Sequence, residues 1–312
     1  MGAETDRPRS RIVGGLALVL AAGSGLYGTG FWLTHDPGPP AEAFGPAAEV
    51  IRRGHQAGDL IVLAPFFATR AREHLGDLRP VSPRDPLNED LGPHPRVWVL
   101  GLFGAAEKLR PGFLQVGLQL EESLTPSPGI VVDRYRNLRS EEVVYDFTAR
   151  LADARVFHEK DGARVPCNKW ELAAGPGERG KWVCPYDSEW FYVGPEWHFM
   201  DYEQRYCLWA HPPSQGRLLI EYPRVPLTGR LTGRAGHTLN GSVRAKAPID
   251  FDVTIGEALP QRFTLPLEEL WRPVGLITPT TGTTTVSFAV STSNAGINHF
   301  CFDLDVRREA SP

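Results

Sequence analysis

A chain of 312 residues that is 42% hydrophobic and 22% charged has the composition of a globular protein, and is too polar overall for a polytopic membrane protein. Its 33 basic and 37 acidic side chains leave a net charge of −4, which excludes a broad basic footprint for nucleic acid. The 32 glycines and 28 prolines predict many turns and few long helices.

Residues 12–33 carry no charge, and about 20 apolar residues suffice to cross the hydrocarbon core of a bilayer. Arg7, Arg9 and Arg11 precede the run, and no Lys or Arg follows it until Arg52. The positive-inside rule therefore predicts a cytoplasmic tail over residues 1–11, a transmembrane signal anchor over 12–34 in the inner (cytoplasmic) membrane, and an extracytoplasmic remainder. A cleaved signal peptide is the competing reading, with a small-residue site around Ala21 to Gly25. The apolar run continues past that site through Leu26, Tyr27, Phe31, Trp32 and Leu33, which favours an anchor. Ala21 and Gly25, like Ser24 and Gly28, stand four apart and share a helix face suited to close packing on a partner membrane helix. Residues 35–42 form a Pro-rich linker.

From Ala41 to His55 the apolar spacing becomes helical. Residues 60–64 form a short continuous apolar run, the pattern of a buried strand. A short helix over 68–75, a second buried strand over 96–102, a helix over 111–124 and a third strand over 129–135 follow. This alternation predicts an α/β domain over residues 43–138 with at least partly parallel strands.

From Val143 helical periodicity fades. Short runs rich in β-branched and aromatic residues alternate with turn clusters, predicting strands near 143–148, 153–158, 181–184, 190–194, 205–210, 216–223, 248–255, 260–265, 284–290 and 298–306. Phe300, Phe302, Leu304 and Val306 alternate with Cys301, Asp303, Asp305 and Arg307, so the last strand has one buried face. The expectation is an antiparallel β-sandwich or jelly-roll domain over 139–308 with a tail over 309–312. The expected class is thus α+β and membrane-anchored.

Two motifs in the α/β segment are distinctive, Gly58-Asp59-Leu-Ile-Val-Leu-Ala-Pro65 and Arg96-Val-Trp-Val-Leu100. With the helix before them, they make residues 45–137 resemble the extracytoplasmic C-terminal region of bacterial GT-C membrane glycosyltransferases. The multi-pass catalytic part of those enzymes has no counterpart in this sequence. The resemblance therefore implies an accessory or sensing role in glycan assembly and carries over no catalytic residue. The C-terminal part looks like a generic lectin-type β-sandwich.

Four cysteines, Cys167, Cys184, Cys207 and Cys301, fall in the β-rich region on the side expected to meet an oxidising compartment, which favours disulfides. Of the three connectivities, the expected one joins Cys167 to Cys184 across a Gly-rich loop and Cys207 to Cys301 between an early strand of the sandwich and its last. Free thiols and a zinc site are the alternatives, and a four-Cys zinc site lacks its usual close C-x₂-C pairs here.

Residues 182–211 hold four of the eight Trp, namely Trp182, Trp190, Trp197 and Trp209. A sugar ring asks for a planar aromatic against its apolar face and polar groups at its edge. Trp197, His198, Asp201, Glu203 and Arg205 supply that mixture and are the candidate ligand-binding residues, with Trp197 expected to be partly exposed and the three charged residues to share its concavity. The opposing reading places these aromatics in the sandwich core beside the disulfides. Asp201 and Glu203, two apart, also raise the alternative of a periplasmic glycoside hydrolase. No nucleophile elbow, P-loop, dinucleotide fingerprint or zinc-protease motif occurs, so no catalytic residue, metal or cofactor is assigned. The function expected is a non-catalytic, envelope-anchored protein that binds a glycan or a partner. The remaining alternative is a structural subunit of a membrane complex, held through the transmembrane helix.

Overall fold

The structure is a computed structural model that describes residues 38–82, 88–172, 180–185, 190–267 and 270–309, with Leu20, Gly23 and Ser24. It divides into two compact units, Met1–Pro40 and Ala41–Pro312. In the first, Leu20, Gly23 and Ser24 are helical, and the Ser24 hydroxyl donates to the Leu20 carbonyl at 2.7 Å. The expected anchor over 12–34 otherwise lies outside the described residues. Among those described, no helix is long and apolar enough to cross a membrane.

The second unit begins with helix α1 (Phe44–Gly54), followed by strands β1 (Leu60–Ala64) and β2 (Arg96–Leu102), helix α2 (Ala105–Gln115) and strands β3 (Leu118–Ser127) and β4 (Ile130–Asn137). The strands form one sheet in the order β1-β2-β4-β3, with β1 and β2 parallel and the other pairs antiparallel. Phe44, Ala47 and Ile51 of α1 pack with Ile61, Leu63, Trp98 and Leu100 on one face. Ala106 and Phe113 of α2 pack with Leu60, Val62, Val97 and Val99 on the other. A parallel pair covered on both faces buries every side chain, which is why β1 and β2 read as unbroken apolar runs.

The two motifs of this region share a physical role. Asp59 accepts from Arg96 Nη2 at 2.6 Å and from Trp98 Nε1 at 2.8 Å. Burial alone would raise its carboxyl, but these hydrogen bonds hold it below the usual carboxylate range. Gly58, at φ 90, supplies the left-handed turn that brings Asp59 to them. The Gly-Asp and Arg-Val-Trp strings thus clip the start of β1 to the start of β2.

One element of this layer differs from expectation. The helix expected over 111–124 is two elements: α2 ends at Gln115, and Leu118 opens β3. Gly117 at φ 95 turns the chain out of the helix, and the next residues pair across strands. Glu121 lies 3.4 Å from Arg134 and 3.2 Å from Arg136, and Glu122 lies 3.2 Å from Arg134. The apolar residues of 118–124 therefore follow a strand with irregular register rather than a helical stripe.

The rest of the unit is mainly two antiparallel sheets, with a short helix over Leu239–Arg244. In chain order the strands are β5 (Glu141–Asp146), β6 (Arg155–Lys160), β7 (Ala163–Pro166), β8 (Lys169–Glu171), β9 (Lys181–Val183), β10 (Tyr192–Met200), β11 (Glu203–Ala210), β12 (Arg217–Pro226), β13 (Arg230–His237), β14 (Ile249–Ile255), β15 (Gln261–Leu265), β16 (Arg272–Ile277), β17 (Thr283–Thr292) and β18 (Phe300–Glu309). One sheet runs β16-β13-β18-β11-β10-β9-β8, with β5 also on β18, and the other runs β15-β14-β17-β12-β6-β7. Ile220, Tyr222, Phe251, Phe288, Phe302 and Leu304 fill the core between them. Most of its aromatic rings meet edge-on or tilted, at centroid distances such as 4.8 Å for Phe147–Phe288 and 5.1 Å for Phe288–Phe302, while Phe251 and Phe288 stack at 5.8 Å. Both expected disulfides are formed, Cys167–Cys184 and Cys207–Cys301, and no cysteine is free.

Candidate functional site

Strands β10 and β11 form a hairpin closed by Asp201 and Tyr202, whose φ values of 45° and 66° are both left-handed. A two-residue turn with positive φ at both positions matches the natural twist of a hairpin. Its register pairs Trp197 with Tyr206, His198 with Arg205, Phe199 with Gln204 and Met200 with Glu203. Side chains alternate with a period of two, so the register sorts the candidate residues onto opposite faces. Trp197, Phe199, Gln204 and Tyr206 share one, and His198, Met200, Glu203 and Arg205 share the other.

The Trp197 face is a continuation of the inner face of the sheet. Val193 and Leu208, earlier on the same face, are in the sandwich core. Beyond them the cover ends: Trp197 is 49% exposed and Phe199 53%, with Tyr202 at the tip also 53% exposed. Trp197 rests against Tyr206 at a centroid distance of 5.3 Å. The result is an aromatic ledge with exposed Gln204 across from Phe199.

The opposite face is spoken for. Glu203 is buried, accepts from the Ser82 backbone N–H and lies 2.7 Å from Arg205 Nη2. Arg205 reaches Asp90 at 3.0 Å, and Arg234 of β13 reaches the other oxygen of Asp90 at 2.6 Å. Arg72 donates to the Pro80 carbonyl and to the Ser82 hydroxyl. Burial raises the Glu203 carboxyl and lowers the Arg234 guanidinium, with the opposite charges nearby working against both shifts. These residues join the outer face of the sandwich sheet to the segment between β1 and β2. The shared concavity expected for Trp197, Asp201, Glu203 and Arg205 is therefore not formed. Glu203 and Arg205 point away from the ring, and Asp201 occupies the turn. The alternation rule could have separated Trp197 from Glu203 only with the position of the turn in hand.

His198 belongs to a second group. Its ring stacks on Trp209 at 4.8 Å and its Nε2 lies 3.2 Å from Glu196, which also accepts from the Tyr192 hydroxyl at 2.6 Å. Burial would raise Glu196, but the close His198 ring and the Tyr192 hydrogen bond hold it below the usual range. His299 meets Trp209 edge-on at 4.9 Å and His211 at 5.8 Å, and half-exposed Trp190 stacks on it at 6.3 Å. Sequence reading missed His299, because only the pairing of β11 with β18 brings it to Trp209.

Burial, with His211, His198 and Arg244 nearby, pushes the His299 imidazole from 6.5 down to about 4. A histidine depressed on folding contributes stability in full above the unfolded value of 6.5, and loses it as pH falls toward about 4. Against wild type, His299→Gln should lose less stability between about pH 7 and pH 5, by roughly 1–2 kcal/mol after solvent screening. Urea unfolding at the two pH values checks this. Equal losses in the two proteins would place the acid sensitivity elsewhere. Among the described residues no group of three or more His, Cys, Asp or Glu is placed to hold a metal ion.

No protein-family model matches the chain, and no curated protein does. The GT-C resemblance of residues 45–137 accordingly has no support from either. Solved structures similar to this chain include carbohydrate-binding modules. One is the C-terminal CBM6 of LamC, a marine laminarinase from Zobellia galactanivorans, at 12% identity over 36% of this chain and 86% of that one, TM-score 0.26. Another is CBM51 from Clostridium perfringens GH95, in complex with methyl-galactose, at 15% identity over 44% and 94%, TM-score 0.28. A third is the K3 cleaved adhesin domain of Lys-gingipain from Porphyromonas gingivalis, at 16% identity over 54% and 98%, TM-score 0.30. At such scores nothing passes from the residues of those proteins to the residues of this one.

Proposed function

We propose that this chain is a non-catalytic, envelope-anchored binding protein whose β-sandwich engages a glycan through the ledge of Trp197, Phe199 and Tyr202. The observation that carries the reading is the break in burial along one hairpin face. Val193 and Leu208 are wholly enclosed, while Trp197 and Phe199, farther along the same face, stand half in water. Large aromatic rings left exposed side by side are a common mark of a binding surface. Their flat apolar faces suit the apolar face of a sugar ring, and Gln204 and Asp201 at the rim offer hydrogen bonds to hydroxyls. Anchoring rests on the uncharged run over residues 12–33 and the arginines before it.

Trp197→Ala tests the ledge. The variant should lose glycan binding on an array while costing about 1–2 kcal/mol in stability, against about 3–5 kcal/mol for truncating an enclosed tryptophan. A wild-type protein that binds no glycan would turn the ledge into a protein interface. A loss of stability at the upper figure would return Trp197 to the core.

A further inference from the structure

We propose that a recess between β5, the turn after it and the bulge of β12 binds the oxyanion group of a carboxylated or sulfated sugar through Arg150 and Arg224. The recess is open to solvent, measures about 600 Å³ and is lined by Tyr145, Arg150, Asp153, Pro223, Arg224 and Pro226. A volume of roughly 300–1,000 Å³ is the size class of small-molecule sites.

Its walls are built on rigid elements. Tyr145 is buried on β5 and packs edge-on against Phe147 at 5.1 Å and Tyr222 at 6.2 Å, so its ring is a fixed wall tied to the core. The Arg150 guanidinium lies over that ring, 5.8 Å from its centroid. The turn carrying Arg150 is set by Asp146, whose side chain accepts from the Ala149 N–H at 2.7 Å and whose carbonyl accepts from the Arg150 N–H at 3.1 Å.

Arg224 reaches the recess by an unusual route. The register of β12 against β17 slips between Tyr222 and Val225, inserting one extra residue, and Arg224 there has φ 55°. Proline stands before it at Pro223 and two residues after it at Pro226, which stiffens the bulge. A bulge re-aims a side chain, and a non-glycine residue held in the left-handed region is strained. Glycine would occupy this position at ease, yet an arginine stands there with its side chain exposed and paired with no described carboxylate. Among the described residues Asp153 is the single carboxylate of the lining, and it meets Arg150 at 3.6 Å with both side chains more than half exposed. Two guanidinium groups against one carboxylate leave the described lining one positive charge in excess. Guanidinium forks match the geometry of carboxylate and sulfate oxygens, and a saccharide body fits the volume beside them.

Titration calorimetry of the full chain with sodium glucuronate, sodium sulfate and glucose tests the assignment. Glucuronate should bind and glucose should not occupy this recess. Arg224→Gly should weaken glucuronate binding by about tenfold or more through loss of a charge-assisted contact. The same change should leave the melting temperature unchanged or higher, because glycine relieves the left-handed strain. Arg150→Gln should weaken binding as well, and Trp197→Ala should not, so failure here is distinguishable from failure of the ledge. Sulfate binding as tight as glucuronate would identify a sulfate ester as the group recognised, and weaker sulfate binding a carboxylate. Silence of both anions at millimolar concentration, or glucuronate binding that survives Arg224→Gly, would overturn the proposal.

Discussion

Replacing Asp90 by alanine is expected to destabilise the Ala41–Pro312 unit by about 3–5 kcal/mol, the usual cost of removing one partner from a buried ion pair. The Asp90 side chain is 5% exposed, and its two oxygens each receive a guanidinium, from Arg205 and from Arg234. Without it both arginines stay in a desolvated place with Glu203 as the remaining paired carboxylate nearby. Asp90→Asn keeps the shape and two acceptor lone pairs but not the charge, and should cost less. Chemical denaturation of the two variants checks the ordering. A loss below about 1 kcal/mol for Asp90→Ala would mean that the arginines are hydrated in solution, as for a surface pair.

Removing the Cys207–Cys301 disulfide by a double change to alanine should cost about 4–5 kcal/mol. Its cysteines are 94 residues apart, and the chain-entropy cost of freeing a loop grows with the logarithm of its length. Cys167–Cys184 spans 17 residues, for which the same relation gives about 3 kcal/mol. Both Cys207 and Cys301 are fully buried and packed with Met200 and Trp271, so alanine also leaves a small void there. Unfolding of the two double variants without reductant, each with its remaining disulfide intact, measures the difference. A larger loss from the short loop would show that local packing around Cys167 and Cys184, both in the sandwich core, outweighs the unfolded-chain effect.

Much of the fold was legible because its physical signal is local. The continuous apolar runs of β1 and β2, the alternation of Phe300, Phe302, Leu304 and Val306 in β18, and the helical stripe of Phe44, Ala47 and Ile51 each show in a few adjacent residues. Strand β13 escaped because its sequence, Arg230-Leu-Thr-Gly-Arg-Ala-Gly-His237, reads as a turn-rich polar segment. Its glycines serve close approach instead: a Cβ at Gly233 would collide with the Asp303 carbonyl, and one at Gly236 with the Leu270 carbonyl. Its arginines are held by Asp90 and Glu141, on partners far away in the chain. Strands β7, β8 and β16 are short or mostly exposed and carry no clear alternation of buried and exposed residues.

The candidate site divides along the same line. From its own residues the sequence pointed to a segment dense in aromatics, an α/β layer before a β-sandwich, and paired cysteines, because periodicity, composition and cysteine number are read along the chain; of the three connectivities it left open, the structure contains the expected one. Which aromatics face water, and which charges are already paired, was decided only in three dimensions. A turn at Asp201 and Tyr202 set the hairpin register, the register put Trp197 and Glu203 on opposite faces, and Asp90 and Ser82, more than a hundred residues earlier, neutralised the one face and left the other open. Exposure and charge pairing depend on contacts between distant parts of the chain, and a single strand's sequence carries no record of what will lie across from it.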